Sequence, residues 1–73
     1  MRIQVNGKPW EVEEDISLSH LIAVLDLKVE QIAIELNHNV VRRTQWENTV
    51  LKADDALEIV HFVGGGATRL QEQ

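Results

Sequence analysis

The sequence ALEIVHFVGGG, residues 56–66, joins an apolar run to three consecutive glycines. The run from Ala56 to Val63 predicts a β-strand, because its side chains alternate between the two faces of a sheet. The strand then has two faces: Leu57, Ile59 and His61 on one, Val60 and Phe62 on the other. A strand of this kind needs neighbours, and the preceding sequence supplies them.

The chain opens with a predicted β-hairpin. Residues 2–6 alternate polar and apolar side chains, and residues 8–13 alternate again. Asn6-Gly7 between them suits the positive φ angles of a tight two-residue turn. Pro9 has no N–H group, so we expect it at an unpaired side or at the start of the second strand.

One amphipathic helix follows the hairpin. Apolar residues recur at helical spacing from Leu18, which predicts a helix to about Asp26. Asp15 or Ser17 can cap its first turn. Alternation over residues 32–36 predicts the third strand.

Shorter elements connect the third strand to the last. Extended chain is predicted at 40–41 and 50–51, turns at 37–39 and 54–55, and one helical turn at 44–47 that Thr44 would cap. The order is two strands, one helix and about three further strands. A single amphipathic helix needs a sheet to cover it. The predicted fold is therefore α+β, a β-grasp (ubiquitin-like) domain with a mixed sheet and one helix across one face.

Composition excludes several functions. The chain has 73 residues, no cysteine and a net charge of −5. The absence of cysteine excludes disulfides, thiolate zinc sites and a cysteine nucleophile. The acidic balance argues against nucleic acid as a partner. Neither a signal peptide nor a membrane span is evident, so we expect a cytoplasmic protein. We expect no metal site either, since Asp54-Asp55 is interpreted as a turn.

Several segments together carry a family resemblance. Residues 40–46, VVRRTQW, and 57–66, LEIVHFVGGG, are similar to the ThiS family of sulfur carriers, within the ubiquitin-like ThiS/MoaD proteins. Residues 34–37 and 5–7 also match, and the resemblance runs from Met1 to Gly66. A glycine triplet alone is weak, but here it ends the last strand of a β-grasp pattern.

The resemblance implies a function in thiamine biosynthesis. The carboxylate of Gly66 would be adenylated by a ThiF-like, E1-like enzyme and converted to a thiocarboxylate, which would supply sulfur to a ThiG-like thiazole synthase. Gly64 and Gly65 would form a thin leader that can enter an active site. ATP and magnesium would belong to the adenylating partner. The chain itself would be a carrier without a cofactor or catalytic residue, and a monomer when free.

The chain departs from the family pattern after Gly66. We assign residues 1–63 to the domain, 64–66 to the leader and 67–73 to a disordered extra tail. A peptide bond at Gly66 leaves no carboxylate to activate. A peptidase could remove the tail, the tail could be an extension foreign to the carrier, or the chain could have another function. A MoaD-like carrier, a ubiquitin-like modifier and a plain binding module therefore stay open.

Two groups of residues are candidates for partner binding. If Leu57 and Ile59 face the helix, Val60 and Phe62 lie on the open face of the sheet, where apolar side chains often mark an interface. Two-sided packing of this strand is the alternative. Arg42 could meet acidic groups of a partner. We interpret Trp10 and Trp46 as packing residues, and His20, His38 and His61 as structural or exposed.

Overall fold

The computed structural model describes residues 1–63 and 66–69. Within this part of the chain, pairs of strands are separated by helical segments. The strands are β1 (Arg2–Val5), β2 (Lys8–Glu11), β3 (Ile32–Leu36), β4 (Asn39–Val41), β5 (Ala56–Val63) and β6 (Gly66–Arg69). The helices are α1 (Leu18–Val24) and two short 3₁₀ helices, Val29–Gln31 and Arg43–Asn48.

The strands form one mixed sheet in the order β2-β1-β5-β3-β4. β1 runs parallel to β5, whereas β2, β3 and β4 pair antiparallel with their neighbours. β5 is therefore central, and α1 packs on one face of the sheet. This arrangement confirms the predicted mixed sheet and single helix.

A sixth strand departs from the prediction of a disordered tail. β6 pairs antiparallel with β5, with Gly66 opposite Val63 and Arg69 opposite Val60. The parallel pairing of β1 with β5 covers only Ala56 and Leu57. The Asn6 side chain pairs with Ile59, and the edge of β5 beyond it offers further backbone groups. Residues 66–69 pair with that edge although they lack a hydrophobic pattern. Residues 70–73 of the predicted tail lie outside the described residues.

The predicted turn of the opening hairpin is confirmed. Asn6 has φ 51° and Gly7 has φ 82°, the positive pair that a two-residue turn of this twist requires. β2 ends at Glu11, two residues short of the expected end. The Val12 N–H donates to Met1 O (2.9 Å), so the backbone N–H of Val12 points toward β1. The backbone nitrogens at the alternate positions, including Pro9, point toward the free edge of the sheet.

Helix α1 begins where a serine caps it. Ser17 Oγ accepts a hydrogen bond from the His20 N–H at 3.0 Å, which selects Ser17 over Asp15 as the cap. The helix ends at Val24, and Asp26 has φ 57°, a left-handed conformation that cannot continue the helix. No helix in the described residues is long and apolar enough to cross a bilayer.

The core lies between α1 and the sheet, closed at one end by the second 3₁₀ helix. Trp46 from that helix is only 4% exposed, and its Nε1 donates to Val41 O at 2.9 Å. The prediction that Thr44 caps this turn is wrong. The helix already begins at Arg43, and no side chain caps it, because the Gln45 N–H closes the first turn on Arg42 O at 2.8 Å.

The two tryptophans differ in environment. Trp10 lies at the edge strand and is 42% exposed, so only one of the two predicted packing tryptophans is enclosed by the core. The difference comes from the lengths of the elements: α1 has 7 residues and does not cover the outer end of β2.

Candidate functional site

The candidate site is the second half of β5, which precedes the glycines. β3 pairs with this strand from Ile32 opposite His61 to Leu36 opposite Leu57. On the other side, Asn6 is 3% exposed and its carboxamide makes two hydrogen bonds to the backbone of Ile59, beyond the end of β1. The strand is thus held on both sides before it reaches the glycines.

The two faces of β5 have different environments. Leu57 and Ile59 are fully buried beneath α1. Phe62 on the opposite face is 50% exposed, and Val60 is half-buried. The structure therefore places Val60 and Phe62 on the open face, as the alternation predicts.

Neighbouring strands extend this apolar surface. Ala33 lies directly opposite Val60 in the register of β3 and β5. On the other side of β3, Val40 lies opposite Glu35 and is 72% exposed. We call Ala33, Val40, Val60 and Phe62 the open-face patch. Glu35 and Glu58, which face each other on the same side of the sheet, border it.

Arg42 follows β4 directly and is exposed. It lines a shallow groove of about 370 Å³ together with Ala33 and Val40. The core residues Ile32 and Trp46 also line this groove, so Arg42 lies at the β4 edge of the sheet. The structure therefore places Val60 and Phe62 on the open face and the third predicted binding residue, Arg42, at the β4 edge.

The predicted reactive glycine is at the start of β6. Gly66 pairs with Val63, and its carbonyl is part of the peptide bond to Ala67. The predicted leader residues Gly64 and Gly65 lie outside the described residues.

The histidines do not form a site. His61 faces the core side, with its Nε2 3.1 Å from Gln31 Oε1, and its Nδ1 is buried with no partner among the described residues. His20 and His38 are exposed. No cluster of three or more metal-ligating side chains occurs in the described part of the chain.

Sequence reasoning missed two contributions to the site. It assigned Asn6 to a turn only, since nothing local shows that its side chain reaches a strand 53 positions away. It also left out Ala33 and Val40. Because Ile32, Ile34 and Leu36 were assigned to one face of β3, the same alternation places Ala33 on the other, open face.

Comparison with known proteins identifies the family. The family model for ThiS matches residues 3–66, which is most of the chain. The chain belongs to the ThiS family. The match ends at Gly66, so residues 67–73 lie beyond the ThiS pattern.

Relatives agree with this assignment. The sulfur carrier protein ThiS of Bacillus subtilis is 32% identical over 65 residues, which are 88% of this chain and 98% of that protein. A crystal structure of the thiamine biosynthesis protein ThiS from Geobacter metallireducens superposes with a TM-score of 0.80 and 36% identity, covering 90% of this chain and all of that one. The predicted fold and the interpretation as a ThiS-type carrier, not an enzyme, are confirmed at this level.

In a much longer relative, the segment similar to this chain is one part of a thiazole synthase. A thiazole synthase of Magnetococcus marinus is 41% identical over 66 residues, which are 90% of this chain but 20% of that protein. This chain therefore spans about a fifth of that relative's length. The predicted ThiG-like partner is represented among the relatives, whereas none of those described bears on a ThiF-like enzyme or a peptidase.

Proposed function

We propose that this ThiS-family protein carries sulfur for thiamine biosynthesis as a thiocarboxylate on Gly66, after removal of residues 67–73. The observation that carries the proposal is the position of the boundary of the family match. The match ends at Gly66, three residues after the central strand β5 finishes at Val63.

Glycines at this position fit a substrate that enters another protein's active site. Residues 64–66 have no side chains, so a narrow channel can admit their backbone. The strand before them is anchored by β3 and by Asn6, which presents the glycine segment from a rigid base. The carrier would supply position, and its partner would supply catalysis.

The proposed chemistry takes place at the Gly66 carbonyl carbon. A free carboxylate is a poor electrophile, so the adenylating enzyme would join it to AMP from ATP with magnesium, releasing pyrophosphate. A sulfide-level sulfur nucleophile would then attack the carbonyl carbon. The new C–S bond replaces the C–O bond to AMP, and AMP leaves. The product is the thiocarboxylate.

The tail must be removed before this chemistry starts. Gly66 is joined to Ala67 by a peptide bond, and hydrolysis of that bond would release the carboxylate. The bond lies within β6, where Gly66 and Ala67 pair with Val63 and Phe62. We expect a peptidase to need β6 detached from β5, because a peptidase binds its substrate as a separate extended segment and β5 covers one side of this one.

The open-face patch is the proposed docking surface for the ThiF-like and ThiG-like partners. Phe62 is exposed on the strand that leads directly to the glycines. A partner that covers this patch would therefore hold the reactive end a few residues away. The thiazole synthase relative supports a synthase as one of these partners, because one polypeptide there includes a ThiS-like segment.

The test is reconstitution of the reaction. The full-length chain and a version that ends at Gly66 are incubated with a ThiF-like enzyme, MgATP and sulfide, and their intact masses are measured. We expect the version ending at Gly66 to gain the mass difference of one sulfur for one oxygen, and the full-length chain to remain unchanged.

A version ending at Gly65 is the matched control, since it has a terminal glycine but lacks one residue of leader. Weak conversion of this control would show that the length of the leader matters. If the version ending at Gly66 gains no sulfur under conditions in which a known carrier does, the proposed function is wrong. Isopeptide conjugates to lysines would instead indicate a protein modifier.

A further inference from the structure

A second surface lies on the opposite face of the sheet, at its β2 edge. The side chains of Trp10, Val12, Ile16, Leu21 and Val24 line an apolar groove of about 430 Å³ between β2 and α1. Trp10 is 42% exposed and Val24 is 63% exposed. We call this the β2–α1 groove.

The groove exists because α1 is too short to cover the sheet. Trp10 lies opposite Ile3 in the hairpin register, and Ile3 is fully buried, so Trp10 faces the core side. Helix α1 ends at Val24, which leaves the indole only partly covered. This is core-type surface that the domain does not enclose.

The rim of the groove is acidic. Glu13 belongs to its wall, and Glu14 and Asp15 follow it in the sequence. Glu11 also borders the groove, but its side chain alternates with those of Trp10 and Val12 and points to the other face of the sheet. Two of the carboxylates have cationic partners: Arg2 Nε lies 3.2 Å from Glu11, and the N-terminal ammonium lies 3.1 Å from Glu14. Glu13 and Asp15 make no ion pair within the described residues.

The backbone of β2 disfavours a partner strand at this edge. Val12 donates its N–H to β1, so the N–H groups of the alternate residues point outward. Pro9 is one of these residues and has no N–H, which leaves Glu11 as the outward donor of β2. A single donor supports little strand pairing, so the groove favours insertion of side chains over extension of the sheet.

We propose that the β2–α1 groove binds a short amphipathic helix of a partner protein, with apolar side chains against Trp10 and Val24 and a lysine or arginine side chain against Glu13. The apolar stripe of such a helix matches the apolar wall of the groove, and its basic flank matches the acidic rim. This surface lies on the other face of the sheet from the open-face patch. The carrier could therefore bind such a partner while its glycine end reacts elsewhere.

The probe is a synthetic amphipathic helical peptide of leucine and lysine, with a leucine–glutamate peptide of the same pattern as its counterpart. Binding to the full chain is followed by titration calorimetry and by NMR shifts of backbone amides. We expect the lysine peptide to shift amides of residues 10–13 and 21–25, and the glutamate peptide to bind at least about tenfold more weakly.

Val24→Asp is the decisive variant, and Ala23→Asp is its matched control. Both add one negative charge to the end of α1, but Ala23 is exposed and does not line the groove. We expect Val24→Asp to weaken the lysine peptide by about tenfold, as loss of one buried valine contact implies, and Ala23→Asp to leave it unchanged or slightly tighter.

Several results would overturn the proposal. If the attraction were a non-specific one to an acidic protein, both variants would bind the cationic peptide at least as tightly as the unsubstituted chain does. Shifts confined to the open-face patch, absence of binding, or equal binding of the glutamate peptide would also contradict it. Circular dichroism confirms that each variant is folded. Conversion of Gly66 in a Val24→Asp version that ends at Gly66 distinguishes this proposal from the sulfur-carrier function, since we expect that reaction to be unaffected.

Discussion

The carboxamide of Asn6 takes the place of a strand beside Ile59. Asn6 Nδ2 donates to Ile59 O at 3.1 Å, and the Ile59 N–H donates to Asn6 Oδ1 at 2.6 Å. The same residue also has the positive φ angle of the hairpin turn. One buried side chain therefore closes the gap on β5 between the end of β1, opposite Leu57, and the end of β6, opposite Val60.

Asn6→Gly should destabilise the protein although glycine suits the turn. The substitution retains the backbone conformation but leaves the Ile59 N–H and C=O without partners in a buried position. We expect a loss of about 1–3 kcal/mol in the free energy of unfolding, measured by urea denaturation. His38→Gly is the control, because His38 also has a positive φ, 73°, and is exposed. We expect it to be neutral or stabilising, and equal losses in both variants would contradict the role of the carboxamide.

Phe62→Asp should abolish binding to the proposed ThiF-like and ThiG-like partners while leaving the domain folded. The side chain is 50% exposed, so a carboxylate there stays hydrated in the free protein but would be desolvated in an apolar interface. Calorimetric titration with each partner measures the effect, and circular dichroism tests the fold. Val24→Asp, on the other face of the sheet, should bind both partners normally. An unfolded Phe62→Asp protein would show instead that Phe62 belongs to the core.

Two hydroxyl residues that sequence analysis proposed as caps should respond differently to alanine. Ser17→Ala removes the hydrogen bond to the His20 N–H and should cost about 1 kcal/mol. Thr44 is exposed within its 3₁₀ helix and is not the cap, so Thr44→Ala should change stability by less than about 0.5 kcal/mol. Thermal unfolding of both variants measures the difference. Similar losses would mean that the cap assignment is wrong.

The two tryptophans provide a further matched pair. Trp46→Phe removes the donor to Val41 O from a nearly enclosed site, so we expect a loss of about 1–3 kcal/mol. Trp10→Phe changes a partly exposed ring with no such hydrogen bond within the described residues, and should cost little. Chemical denaturation of each variant tests this, and a larger loss for Trp10→Phe would contradict the burial of the two rings.

Periodic features of the sequence determined most of the fold. Alternation defined β3 and β5 to the residue, because a strand repeats every two residues whatever its neighbours are. Asn6-Gly7 defined the hairpin turn, because only a few residue types tolerate two successive positive φ angles. The glycine triplet after β5, together with the family resemblance, predicted a reactive end at Gly66, and the family match ends at the same residue.

Only the tertiary structure decided which groups meet across long separations. The Asn6–Ile59 hydrogen bonds, the enclosure of Trp46 but not Trp10, and the pairing of β6 with β5 all depend on where neighbouring elements end. The length of α1 likewise leaves the β2–α1 groove open. A local pattern encodes the direction in which a side chain points, but its burial and its partners depend on elements that are remote in sequence and close in space.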